Sequence, residues 1–83
     1  METKKRFNFW EAIEIASDSN TSKEMLEELA NDRRKVIRVE VAKNSQTPTE
    51  ILERLANDSH INVRKQVAKN PNTPAEVSQK LAS

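Results

Sequence analysis

Residues 47–72 read TPTEILERLANDSHINVRKQVAKNPN, and the sequence on either side repeats this stretch. Residues 21–46 (TSKEMLEELANDRRKVIRVEVAKNSQ) align with it at a spacing of 26 residues and are identical at 13 of the 26 positions. Residues 73–83 restart the unit, and residues 10–20 match its second half. A repeat of this length indicates supersecondary units that stack on one another.

The register of the repeat divides the chain into a half-unit at 7–20, full units at 21–46 and 47–72, and a half-unit at 73–83. We expect these to form a single helical-repeat domain covering residues 1–83. Each full unit is predicted to contain a helix A and a helix B, because apolar residues recur at helical spacing in both halves. The fold class is therefore all-α, with six short helices in the order B-A-B-A-B-A.

Polar residues mark the predicted ends of these helices. A Thr-x-x-Glu pattern starts each helix A, and in such a capping box the Thr hydroxyl accepts a hydrogen bond from a backbone N–H three residues on. The sequence contains no Gly, so Asn44 and Asn70 are expected to end helix B in the left-handed conformation. Asp32 and Asp58 are expected to cap the start of helix B. The three Thr residues of the capping boxes are Thr21, Thr47 and Thr73.

Composition excludes several kinds of site. The absence of Cys removes disulfides, thiolate metal sites and iron–sulfur ligation, and the absence of Gly removes phosphate-binding loops and the dinucleotide fingerprint. No apolar run exceeds two residues, so no bilayer-spanning segment is expected, and Glu11 and Glu14 interrupt any signal-peptide core. We expect a cytoplasmic protein without a cofactor.

The run LANDxxxxVRxxVAKNPNTPxEVxxxLA at 55–82 resembles the leucine-rich repeat variant family and, more loosely, HEAT-type repeats. This resemblance implies a right-handed α-solenoid whose B helices line the groove where partners bind. It also implies a structural ladder between layers, made by an Asp and an Arg six residues apart. The corresponding residues are Asp32 with Arg38 and Asp58 with Arg64, whereas Arg6 and Ala12 occupy these positions in the first half-unit.

Residues suited to catalysis are few. Asp58, Ser59 and His60 are the residue types of a hydrolase triad, but they are adjacent and cannot face one another as a triad requires. The carboxylates show no spacing typical of a metal site. We therefore predict no catalytic or metal-binding residues, and the protein is not expected to be an enzyme.

Charge separates the two helix types. The A segments at 21–32 and 47–58 carry net charges of −3 and −2, whereas the B segments at 33–46 and 59–72 carry +4 and +3. A basic B face is suited to a polyanion, but the same pattern is expected if neighbouring layers exchange surface salt bridges. The residues predicted to bind a polyanion are Arg33, Arg34 and Lys35.

Helical phase places a strip of residues on the outer face of the B helices. The strip is apolar at its N-terminal end and basic at its C-terminal end, and it consists of Trp10, Ile13, Val36, Val39, Lys43, Lys65 and Lys69. Trp10 is either an interaction anchor or, with Phe7 and Phe9, a cap over the first layer; for these two Phe residues the cap is the favoured interpretation.

The sequence thus predicts a non-catalytic scaffold that binds a protein partner through the B-helix face. Nucleic-acid binding through the basic side of that face is the alternative, and an enzyme is a weaker one. No membrane interaction is expected. A monomer is predicted, with head-to-tail self-association as the alternative, because the chain starts with a lone B helix and ends with a lone A helix.

Overall fold

The computed structural model describes residues 7–82, which form six α-helices and no strands. The helices are α1 (Phe9–Ser17), α2 (Lys23–Leu29), α3 (Lys35–Lys43), α4 (Thr49–Leu55), α5 (Ile61–Lys69) and α6 (Ala75–Ala82). The odd-numbered helices are the predicted B helices and the even-numbered ones the A helices. The all-α class and the number of helices are therefore confirmed. None of the helices in this range is long and apolar enough to span a membrane.

The B helices pack in succession, α1 against α3 and α3 against α5, while α2, α4 and α6 contact the B helices beside them. The core lies between the two sets. Its residues share helical spacing within each element and are Ala12, Ala16, Leu26, Leu29, Ala30, Ile37, Val41, Ala42, Ile51, Leu52, Leu55, Val63 and Val67. Helices of seven to nine residues are marginal alone, so this burial is what stabilises them.

The predicted capping boxes are wrong. Thr47 lies two residues before α4, where its buried hydroxyl donates a hydrogen bond of 2.7 Å to the carbonyl of Val41. The hydroxyls of Thr21 and Thr73 donate in the same way to carbonyls six residues earlier. Each Thr therefore closes the turn after a B helix instead of starting an A helix. The described helix with a complete capping box is α1, between Asn8 and Glu11.

The predicted left-handed Asn residues are also wrong, because no described residue has a positive φ. Asn44 and Asn70 both have extended backbone, with φ of −67° and −75°. The bend after each B helix is instead stabilised by the Asn side chain, whose Oδ1 accepts from the backbone N–H two residues on. This turn needs neither Gly nor left-handed backbone.

The helical spacing of Val63, Val67 and Ala68 predicts that all three face inward, but Ala68 is exposed. Its equivalent one repeat earlier, Ala42, is fully buried. The α5 helix packs against α3, and the side chain of Asn70 at the end of α5 donates to the Ala42 carbonyl. Within residues 7–82, α6 is the helix that follows and contacts α5; Ser78 on α6 donates to the Ala68 carbonyl at 3.4 Å, yet Ala68 stays exposed.

Candidate interaction surfaces

The outer face of α1 and α3 carries an apolar patch consisting of Trp10, Ile13, Val36 and Val39. Trp10 leaves 75% of its surface exposed and Val36 leaves 38%, whereas Ile13 and Val39 are half-buried against the core. The Trp10 ring is held edge-on to Phe9, with the ring centroids 5.0 Å apart and the planes at 84°. The patch therefore presents one large exposed aromatic side chain from a folded helix.

The three aromatic residues divide between the two predicted roles. Phe7 and Phe9 are partly buried against the hydrophobic core, as expected for residues that cover the first layer. Trp10 points away from that core and remains largely exposed. This arrangement matches a cap for Phe7 and Phe9, and it leaves Trp10 free to contact a partner.

The basic end of the B-helix face is partly neutralised. The Nζ of Lys43 lies 3.7 Å from Glu40 on the same helix, and both residues line a shallow depression with Ser17. Lys65 and Lys69 are exposed, and neither has an ion pair within residues 7–82. The uncompensated positive charge of the predicted strip therefore lies on α5.

The predicted polyanion-binding cluster does not behave as one unit. Arg34 forms a bidentate salt bridge with Asp32, in which the Nε–Oδ1 and Nη2–Oδ2 distances are both 2.9 Å. Its Nη2 also donates to the carbonyl of Phe7, and the hydrogen bond with Asp32 raises the pKa of Arg34. Arg33 and Lys35 remain exposed, so two of the three cations are available to a polyanion.

Among the four residues of the predicted ladder, one Asp–Arg pair connects successive units. Arg38 on α3 donates to Asp58, which lies before α5, through Nε to Oδ2 at 2.7 Å and Nη2 to Oδ1 at 3.1 Å. Burial of the Asp58 carboxyl favours a raised pKa, but the hydrogen bonds from Arg38 and the His60 N–H, together with the Arg38 charge, lower it below its ordinary value. The result is an ionised, bidentate salt bridge that joins successive units.

The same positions in the first and last units have different contacts. Asp32 binds Arg34 in its own loop, because Ala12 occupies the register position of Arg38 on α1. Arg64 repeats one contact of Arg38: its Nη1 donates to the carbonyl of Asp58 at 2.6 Å, as Arg38 Nη1 donates to that of Asp32 at 2.8 Å. No carboxylate of residues 7–82 pairs with Arg64.

A second contact between successive units is made by Asn44 and Asn70, which the sequence pattern indicates only as local turn residues. The Nδ2 of Asn70 donates to the carbonyls of Ala42 at 2.7 Å and Asn44 at 2.9 Å. Asn44 makes the equivalent pair of bonds one layer earlier, to Ala16 and Asp18. The identity of Asn44 and Asn70 in the repeat was a usable signal, since a solvated turn tolerates several residue types.

The residues of the possible triad are engaged in local structure. The carboxylate of Asp58 is bound by Arg38, and the Nδ1 of His60 accepts from the backbone N–H of Asn62 at 3.2 Å. Within residues 7–82, no group of three His, Asp or Glu side chains is placed to hold a metal ion. These contacts give Asp58 and His60 structural roles at the start of α5.

Ion pairs also join successive A helices. Lys23 lies 3.8 Å from Glu50, and Arg54 lies 3.6 Å from Glu27. All four side chains are about half exposed or more, so each pair is worth only about 0–1 kcal/mol. Some of the charged residues of the A helices are therefore paired with residues of the neighbouring A helix.

Comparison with known families identifies the repeat. The family described as leucine rich repeat variant matches residues 36–60, which span most of α3, all of α4 and the loop before α5. The resemblance to the leucine-rich repeat variant family is thereby confirmed over these residues, and the matching model is that of a helical repeat family. No curated protein and no solved structure matches the chain.

Proposed function

We propose that this chain, which carries a leucine rich repeat variant unit at residues 36–60, is a short right-handed solenoid that binds another protein through its B-helix face. Its layers would be the half-unit 7–20, the repeats 21–46 and 47–72, and the half-unit 73–83. Support for stacked layers comes from contacts that recur one repeat apart. The Asn44 and Asn70 side chains each bond to carbonyls of the preceding unit.

The observation that carries the binding proposal is the exposure of Trp10. An aromatic side chain that is 75% exposed gains a large apolar contact area when a partner covers it, and its helix already restricts its position. Val36 offers an exposed aliphatic side chain at the equivalent position of the next B helix. Together they form the kind of apolar patch that marks an interaction site.

The basic residues of α5 supply the electrostatic part of this surface. Lys65 and Lys69 are exposed without an ion pair in the described chain, so a partner with acidic groups beside its apolar contact would be favoured. Lys43 contributes less, since Glu40 lies within 3.7 Å of its Nζ. The preferred partner is therefore a protein with a surface that is apolar at one end and acidic at the other.

Nucleic-acid binding is the second candidate, and the same two lysines favour it. Arg33 and Lys35 at the start of α3 would add phosphate contacts, whereas Arg34 is already bound by Asp32. Stacking on bases would rely on Trp10, because Phe7 and Phe9 are partly buried. We rank this function below protein binding because the available cations are few and scattered. A catalytic function is the least supported, given the structural contacts of Asp58 and His60.

The protein-binding proposal is tested by affinity capture from a cell extract, followed by quantification of the captured proteins. The combined substitutions Trp10→Ser and Val36→Ser should remove the specific partner. The control is Gln79→Ser, which shortens an exposed side chain on α6, outside the B-helix face. Equal retention of the partner by all three proteins would refute the role of the apolar patch.

The nucleic-acid candidate is tested by fluorescence anisotropy with labelled duplex and single-stranded DNA at about 50 and about 200 mM salt. Several phosphate contacts would make the affinity fall by orders of magnitude at the higher salt concentration. Loss of binding in a Lys65→Gln, Lys69→Gln variant with retention in a Lys80→Gln control would support this function. Absence of binding at the lower salt concentration would exclude it.

A further inference from the structure

An open groove lies on the flank of α5 that faces away from α3. It has a volume of about 520 Å³ and is lined by Ile61, Arg64, Lys65, Ala68, Lys69 and Leu81. Ile61 is 55% exposed, and Ala68 is exposed although the equivalent Ala42 is fully buried beneath α5. The groove therefore has an apolar floor at Ala68 and Ile61, with Leu81 of α6 at its edge, whereas α5 packs against α3 in the preceding unit. Its lining contains three cations and no acidic residue.

The preceding layer shows what such a flank accommodates. On α3, the guanidinium of Arg38 is positioned by a bond from Nη1 to the carbonyl of Asp32, and its Nε and Nη2 bind the carboxylate of Asp58. Arg64 is positioned by the same type of bond, from Nη1 to the carbonyl of Asp58. Its other N–H groups have no partner in the described part of the chain. One side of the Arg64 guanidinium is therefore held by this hydrogen bond, and its other N–H groups can donate to a partner.

We propose that this Arg64 groove is a docking site for an acidic helical segment of another protein. The segment would place an Asp carboxylate, close to its helix start, on the free edge of Arg64, and small or branched apolar residues over Ala68 and Ile61. Acidic residues on its outer turns would approach Lys65 and Lys69. This site goes beyond the apolar patch of the B-helix face, because it uses the flank of α5, and it shares Lys65 and Lys69 with the basic end of that face.

Charge selects this occupant over a second copy of the chain. In the repeat register, the position of Asp32 and Asp58 corresponds to Arg6 in the first half-unit, which lies outside the described residues. A copy docked head to tail in that register would bring a cation towards Arg64 where Arg38 has an anion. Like charges in contact oppose association. A foreign segment with an Asp at that position meets no such conflict.

The probe is a fluorescein-labelled, acetylated and amidated peptide, NDSHINVAEQVAEN. It follows residues 57–70, with Ala in place of the Arg and Glu in place of both Lys. Titration with the full chain at about 50 mM salt, where surface charges are weakly screened, should give saturable anisotropy. Arg64→Gln should weaken binding about tenfold, as expected for loss of a charge-assisted hydrogen-bonded pair. The control Arg33→Gln, which removes an exposed cation elsewhere, should change the affinity less than about twofold.

A second peptide, NNSHINVAEQVAEN, lacks the critical carboxylate and should bind about tenfold more weakly to the unmodified chain, with no further loss in Arg64→Gln. Ala68→Trp fills the groove from an exposed position and should abolish binding without unfolding the chain. Trp10→Ser should leave peptide binding unchanged, so that failure of this site is distinguishable from failure of the B-helix face.

Four results would overturn the proposal. These are absence of saturable binding up to about 1 mM, equal weakening by the Arg64 and Arg33 substitutions, equal affinity of the two peptides, and full binding by Ala68→Trp. Sedimentation of the chain alone provides the remaining test. A dimer that the Ala68→Trp substitution dissociates would show that a second copy, and not a foreign segment, occupies the groove.

Discussion

Replacing Asn70 with Ala should destabilise the protein more than its position in a loop suggests. The side chain makes three hydrogen bonds: Nδ2 donates to Ala42 at 2.7 Å and to Asn44 at 2.9 Å, and Oδ1 accepts from the Asn72 N–H at 2.9 Å. Each such bond contributes about 1 kcal/mol, so the free energy of unfolding should fall by about 3 kcal/mol. The loss is large against the roughly 4–12 kcal/mol expected for a domain of this length.

Thermal and urea unfolding followed by circular dichroism measures this effect. A loss of about 3 kcal/mol corresponds to a fall in Tm of about 12–24 °C in a domain of this size. The matched control is Asn57→Ala, in a loop where the exposed Asn side chain has no hydrogen bond within residues 7–82. That substitution should change the free energy of unfolding by no more than about 0.5 kcal/mol. Equal losses in the two variants would refute the role given to the Asn70 amide.

A further variant separates the amide donors from the shape of the side chain. Asn70→Asp keeps the size and the Oδ1 acceptor but directs a carboxylate at the carbonyls of Ala42 and Asn44, both of which accept from the Asn70 amide. Its loss of stability at pH 7 should be at least that of Asn70→Ala. Lowering the pH should reduce the difference between the two variants, because a protonated carboxyl regains one donor. A neutral effect of Asn70→Asp at pH 7 would contradict the assignment.

Three other predictions concern contacts between and within layers. Asp58→Asn should lower the free energy of unfolding by about 2 kcal/mol at pH 7, because it weakens the ion pair with Arg38. The folded pKa of Asp58 lies below its unfolded value of about 3.9, so this contribution should be present above pH 4 and should disappear as the pH falls through the folded pKa. Urea unfolding at several pH values measures both effects. Thr47→Val should cost about 1 kcal/mol in the same assay, because it removes the 2.7 Å hydrogen bond to the Val41 carbonyl, which keeps the longer bond from the Asn44 N–H at 3.2 Å. Ala42→Leu should cost about 1–3 kcal/mol through overpacking between α3 and α5, whereas Ala68→Leu should be nearly neutral.

Each of these predictions has a control in the chain. For the ion pair, the combined Asp58→Asn, Arg38→Gln variant should lose less than the sum of the two single losses, and simple additivity would show that the groups are not coupled. Thr49→Val changes an exposed Thr at the start of α4 and should have little effect. For the alanines, similar losses at both positions would contradict the difference in burial.

The helices and most of the core could be derived from the sequence. Apolar residues such as Ile37 and Val63 recur at helical spacing within a unit and again one repeat later, and the structure buries both completely. The same phase placed Trp10 and Val36 outward, where they are exposed. This information is local, because a residue's side of a helix depends on its position along that helix.

The roles of the polar residues were decided by the tertiary structure. Thr47, Asn44 and Asn70 are typical of helix caps and turns, and their sequence context favoured those local roles. The amide donors of Asn44 and Asn70 instead meet carbonyls 28 residues away, which become neighbours only when α1, α3 and α5 pack together, and Thr47 bonds to the Val41 carbonyl at the end of the preceding helix. A polar side chain can form several alternative hydrogen bonds of similar strength, so the choice among them depends on which groups packing brings within reach.

The repeated sequence by itself determined that the chain forms alternating helices with one apolar and one polar face. It could not distinguish Ala42 from Ala68, or Arg38 from Arg64, because each pair is identical in residue type and register. In the tertiary structure, Ala42 is buried and Arg38 is bound to Asp58, whereas Ala68 and Arg64 line an open groove. The physical reason is that burial and ion pairing depend on the neighbouring layer, and identical units in a stack have different neighbours.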